Sequence, residues 1–188
     1  EHESGDREAQ TAPDWTCSNS YNSEYMAGTV YVGAFFVESN GVVDTDQYTW
    51  TPQAVSDVEL QLLDAWSIWS WTAQQHGVTV TAVLELYGPG TSTTLQPYEP
   101  VLHPSTEDHL WIGAIMGNLG FSGSGHLAAC DAFNSSKRLV LNATHSYCSF
   151  IAYNPPAQGA SSAFTDGRIG YAYLGGPYLQ LLYKANGW

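Results

Sequence analysis

Positive charge is what this chain has least of. Five Lys and Arg stand against 18 Asp and Glu, a formal net charge of −13. A surface of that sign repels phosphate backbones and anionic lipid, which excludes nucleic-acid binding. Charge of either sign is scarce, at 12% of residues, whereas apolar residues make up 44%. A disordered chain has the opposite balance, so the bulk of the sequence is expected to fold. No apolar run reaches the roughly 18 residues of a membrane-spanning helix. H-E-x-x-H, G-x-S-x-G, P-loop and dinucleotide fingerprints are all missing. There is no internal repeat, and 188 residues suit one domain rather than two.

Cysteine is sparse too, and odd in number: Cys17, Cys130 and Cys148. A Cys130–Cys148 bridge is the preferred pairing, with three reduced, buried thiols as the alternative. Cys17 would then find its partner in a longer parent chain. Scarce Lys, abundant Trp and Tyr (7 and 12), and sequons at Asn134 and Asn142 point to a secreted protein. Both sequons fall in a short polar stretch that reads as surface, so Asn134 and Asn142 are candidate glycosylation sites.

Residues 1–16 carry five acids and one Arg without periodicity, the pattern of an acidic flexible tail. Residues 17–188 read as one α/β domain. Thr29–Val37 is short, β-branched and aromatic on both faces, which predicts a doubly buried strand. Thr51-Pro52 predicts a helix start, and Val55, Val58, Leu62, Trp66 and Trp69 form one apolar stripe up to Gly77. Those tryptophans are read as core rather than as a sugar-stacking face. Val78–Tyr87 alternates as a strand. Ser105–Asp108 predicts a helix N-cap, with a short helix following near His126–Phe133. Ser146–Tyr153, Gly170–Leu174 and Tyr178–Tyr183 complete the strands. Long helices between strands require crossovers. The expected fold is therefore mixed α/β, with a mostly parallel twisted sheet, long helices and an antiparallel edge strand.

Chemistry-bearing clusters are few. His103 and His109 are near in sequence but separated by Pro104, and are read as one loop and one solvated histidine. His145 and Cys148 fall on opposite faces of a strand. Asp44-Thr45-Asp46 lacks the further oxygens that calcium needs and reads as a solvated turn.

One stretch is unlike generic α/β sequence: Phe164-Thr165-Asp166-Gly167-Arg168-Ile169-Gly170-Tyr171-Ala172-Tyr173-Leu174-Gly175-Gly176-Pro177-Tyr178. Together with Ser23–Met26, Val32-Gly33, Pro104-Ser105-Thr106 and Leu110-Trp111-Ile112-Gly113, it resembles a group of secreted bacterial zincin-like, or metzincin-like, metalloproteases. The resemblance runs from about Ser23 to Trp188. It implies a twisted sheet that precedes an active-site helix, and an edge strand that holds an extended peptide. Gly170, Tyr171, Ala172, Tyr173 and Leu174 are the candidates for that edge. In the family the H-E-x-x-H helix comes soon after the segment matching Tyr178–Trp188, and it is absent here. The resemblance therefore implies the N-terminal scaffold and substrate-strand portion of a zinc metallopeptidase, with no catalytic residue and no metal ligand of its own. Zinc is implied only for a longer parent protein. The expected partners are a C-terminal catalytic segment or a second copy, and an extended peptide. Two other readings stay open: a non-catalytic extracellular binding or self-assembling protein, and a small-molecule enzyme with a dispersed site.

Overall fold

The computed structural model describes residues 26–155, 163–172 and 176–184. The acidic tail, Cys17, Ser23–Tyr25, Tyr173 and Leu174 lie outside the described residues. The elements, in chain order, are β1 (Gly28–Ser39), α1 (Pro52–Gln75), β2 (Val80–Tyr87), a short β3 (Leu95–Gln96), α2 (His109–Asn118), α3 (His126–Leu141), β4 (His145–Asn154), β5 (Gly170–Ala172) and β6 (Tyr178–Lys184). Two single 3-10 turns, Pro100–Leu102 and Ser105–Glu107, lie between β3 and α2.

The sheet runs β2-β1-β4-β6-β5, and β3 pairs with the far end of β1. Strands β2, β1, β4 and β6 are parallel, and β5 is antiparallel to β6. This is the mixed, mostly parallel α/β fold with an antiparallel edge that the element order predicts. Strand β1 is central, and its alternation sorts the two cores. Val30, Val32, Ala34 and Phe36 face α1, while Tyr31, Phe35 and Val37 face α2 and α3. The crossover through α1 thus covers one side of the sheet, and the crossover through α2 and α3 covers the other.

Local chemistry explains the long helix. Thr51 Oγ1 accepts from the Ala54 N–H at 3.1 Å, and Pro52 occupies the first helical position, where no N–H is needed. After His76 the backbone enters the left-handed region at Gly77, φ 71°, where glycine carries no Cβ penalty. The apolar stripe splits, however. Val58 and Trp66 are buried, but Trp69 is 55% exposed, a correction to its reading as core.

Rings fasten the layers. Phe35 stacks on Tyr87 and Phe150 at 4.4 and 4.9 Å. Trp50 stacks on Tyr153 at 4.9 Å and donates from Nε1 to the Val37 carbonyl at 2.9 Å. Lys137 of α3 reaches Glu85 of β2 at 2.5 Å, with its ammonium over the rings of Tyr31, Tyr87 and Phe133.

Candidate functional site

The candidate edge begins with a short strand. Register pairs Gly170 with Leu181, Tyr171 with Gln180 and Ala172 with Leu179, and the Leu182 N–H donates to the Ile169 carbonyl at 2.9 Å. In an antiparallel ladder, hydrogen-bonded and non-hydrogen-bonded pairs alternate. Ile169 and Tyr171 therefore turn their backbone groups toward β6. Gly170 and Ala172 turn theirs outward, away from the one strand with which β5 pairs among the described residues. Space at 170 is tight and favours glycine. A Cβ there would sit 3.0 Å from the Gln180 carbonyl oxygen and 3.1 Å from Leu181 Cδ2.

A buried polar network holds this edge from the α2 side. The Tyr171 hydroxyl lies against the Asp108 carboxylate, 3.0 Å from the Ser105 carbonyl and 2.8 Å from the Gln180 amide oxygen. One phenol proton cannot serve all three, and Gln180 Nε2 is buried without a partner. The amide is satisfied when its NH2 faces the phenol. Tyr178 also donates to Asp108, which is 3% exposed. His126, at the start of α3, lies 3.1 Å from the Tyr178 hydroxyl. Burial holds His126 below its ordinary pKa despite the Asp108 charge, with His109 adding to the depression, so its imidazole is neutral near pH 7.

The turn before β5 is clamped to the same segment. Asp166 accepts from the Ser105 N–H at 3.1 Å and hydroxyl at 2.6 Å, and Arg168 donates to Ser105 Oγ at 3.0 Å. Slight burial opposes ionisation of Asp166, but these hydrogen bonds outweigh it and keep its carboxyl below the usual range. Two stretches distant in sequence, Pro104–Thr106 and Phe164–Tyr178, thus meet in space. Neither 3-10 turn gains a side-chain cap, so Ser105 is not the helix cap that its sequence suggests; its hydroxyl is engaged by Asp166 instead.

A second cluster lies at the far end of β1. Both ring nitrogens of His103 face carboxylates, Nε2 to Asp44 at 2.9 Å and Nδ1 to Glu107 at 2.8 Å. Burial works against the imidazolium, but the two carboxylates win and raise its pKa. His103 is accordingly a clasp rather than a free loop histidine, and Asp44 is a clasp partner rather than a solvated turn residue. Asp44 also accepts from the Glu99 N–H at 2.7 Å. The Glu99 carboxyl, 2% exposed, is pushed up to about 8 by burial, with Glu38 and Asp44 adding to the shift against hydrogen bonds from Tyr48 and Val101.

Three sequence expectations change in the fold. Cys130 of α3 and Cys148 of β4 are neighbours, as a bridge would need, but both are free thiols. Burial first, and then the hydrogen bond to Cys130, push the Cys148 thiol up. Asn134 is 1% exposed, not on the surface; its Nδ2 donates to the Pro177 carbonyl at 2.7 Å and its Oδ1 accepts from Ser146 at 2.9 Å. That nitrogen has no room for a glycan in the fold. Asn142 caps α3 in the left-handed region, φ 50°, and is exposed. Third, the helix expected to be short near His126–Phe133 continues to Leu141, which is what buries Asn134.

No three His, Cys, Asp or Glu side chains are placed to hold a metal ion among the described residues. No helix among them is long and apolar enough to cross a membrane. No protein-family model, curated protein or solved structure matches the chain. Sequence reasoning missed Asp108, Tyr178, Gln180 and His126 as a group. The one available signal was Tyr171 and Tyr178 flanking the glycine-rich turn of the most specific stretch.

Proposed function

We propose that this chain is the N-terminal scaffold and substrate-strand portion of a secreted zinc metallopeptidase, inactive without a segment that supplies the zinc ligands. The observation that carries the reading is β5: an antiparallel strand at the margin of a parallel sheet, with the backbone groups of Gly170 and Ala172 turned outward. It falls within Phe164–Tyr178, the stretch on which the resemblance to zincin-like proteases chiefly rests. An edge of this kind, paired on one side only among the described residues, would hold an extended peptide by strand addition, with affinity drawn from main-chain hydrogen bonds and little demand on side chains. The Tyr171–Asp108–Tyr178 network and the Asp166–Ser105 clamp keep that edge in place, so that a peptide is met by a preorganised strand.

The described residues do not fit a zinc site, so the reading assigns the metal to the other segment. This chain's own part is to bind and orient the peptide. Of the two sequons, Asn142 is the one that a secreted form would carry glycosylated.

A fluorescein-labelled extended peptide tests the reading. The wild type is expected to bind it weakly and to cleave none of it. Ala172→Pro removes one outward N–H without touching the ladder to β6, and is expected to weaken binding at least tenfold. Equal binding by Ala172→Pro, or turnover by the isolated chain, overturns the proposal. The binding-protein alternative shares the edge but needs no metal-bearing segment. It gains ground if peptide binding persists and no added H-E-x-x-H segment restores cleavage.

A further inference from the structure

On the opposite side of the sheet, α1 leaves a trough that no other described residue covers. One wall is the flank of α1, from Val58 through Leu62 and Ala65 to Trp69; the floor is the near face of β4 and β6, with Ile151 and Leu181 at its centre. Two adjoining hollows make up the trough and share Leu62, Ala65 and Leu181. Leu181, in the middle of a sheet face, is 37% exposed, and Trp69 is 55% exposed. A packed sheet face normally covers such side chains.

We infer that this trough is the docking site for an amphipathic α-helix of a partner polypeptide, apolar on one face and cationic along the flank that meets α1. Four features select that occupant. The trough runs along α1 from Val58 to Trp69, twelve residues, with about 17 Å of rise between the two ends at roughly 1.5 Å per residue, which matches three helical turns. Its lining is aliphatic and aromatic, the surface into which i, i+3, i+4 and i+7 anchors pack. Asp57 and Asp64 stand on the trough side of α1, Asp57 accepting from the Tyr183 hydroxyl at 3.1 Å. Ser149 Oγ, in the floor, is buried without a hydrogen-bond partner. A single polar side chain in the middle of the helix face would satisfy it.

Charge argues against the two other occupants. Residues 1–25 carry six acids against Arg7, and a second copy brings a net charge of −13 against −13. The inference does not depend on the peptidase reading, because it uses neither β5 nor a metal.

The test uses the full chain and a synthetic three-turn helix with Leu at i, i+3, i+4 and i+7, one central Gln, and Lys on one flank. Saturable binding is expected, read by the anisotropy of a fluorescein-labelled helix. Ala65→Trp fills the trough from an exposed position and should weaken binding at least tenfold. Asp57→Asn with Asp64→Asn, or a probe with Glu in place of Lys, should weaken it severalfold. Binding that is unchanged in Ala65→Trp, or absent altogether, overturns the inference. So does dimerisation abolished by Ala65→Trp, which gives the trough to a second copy. Tighter probe binding after removal of residues 1–25 gives it to that segment and overturns the inference equally.

Discussion

Gly170 shows how much one hydrogen atom decides. With no Cβ it lets β5 lie close to the Gln180 carbonyl; a methyl group would arrive at 3.0 Å from backbone, which cannot swing aside. Gly170→Ala is expected to cost about 1–3 kcal/mol, the range for overpacking a tight site. Urea unfolding measures it, and amide exchange at Tyr171 should rise in step. The thiols make a second case. Cys130 and Cys148 are fully buried, and burial keeps Cys148 protonated. Thiolate is the reactive form. Iodoacetamide should therefore leave both unlabelled in the native protein and label both in denaturant, as read by peptide mass. Rapid native labelling would contradict their burial. Neither outcome was legible from spacing. The interval from Cys130 to Cys148 suits a bridge equally well, and only the packing of α3 on β4 shows two buried, unbridged neighbours.

At the scale of elements, α1 was readable almost to the residue, because its start and stop signals are local. Thr51 caps it, and Thr51→Ala should destabilise the protein by about 1 kcal/mol in thermal unfolding. The clasp at the end of β1 was not readable, since Asp44 comes from the β1–α1 loop and Glu99 and His103 from the β3–α2 connection, more than fifty residues on. Its titration has a definite sign. Glu99 titrates near 8 in the folded chain against 4.5 for a free carboxyl, and His103 is likewise raised above 6.5. Both groups hold protons more tightly when folded. Their stabilisation is complete below the unfolded values and is lost as pH rises through the folded ones. The melting temperature should therefore fall from about pH 4.5 to about pH 8 through Glu99, with His103 adding to the fall above about pH 6.5. Glu99→Gln keeps the acceptor for Tyr48 and Val101 while removing the ionisation, and should flatten that fall. An equally steep decline in the variant would move the cause elsewhere.

The whole molecule is governed by its charge. A net charge of −13 means that compaction works against self-repulsion throughout. Raising salt from about 0.05 to about 0.5 M shortens the screening length and should raise the melting temperature. A lower melting temperature in salt would mean that the few ion pairs, such as Lys137–Glu85, outweigh the repulsion. At this scale one sheet carries two different surfaces: the β5 edge, paired only with β6 among the described residues, offers backbone hydrogen bonds, and the trough beside α1 offers apolar area.

The sequence by itself determined the α/β class, the buried central strand, the span of α1 and the excess of acid. Each follows from residue periodicity, local capping or a count, and none needs a distant contact. Tertiary structure alone decided what polar and aromatic side chains do. Trp69 faces a trough because α1 crosses the sheet over β1 rather than β6. Asn134 is buried because α3 runs two turns further than its periodicity suggests. Asp108 becomes a keystone because β5 and β6 each bring a tyrosine hydroxyl to it and α3 brings His126. Burial and partnership are properties of where other segments lie, and a linear pattern does not carry them.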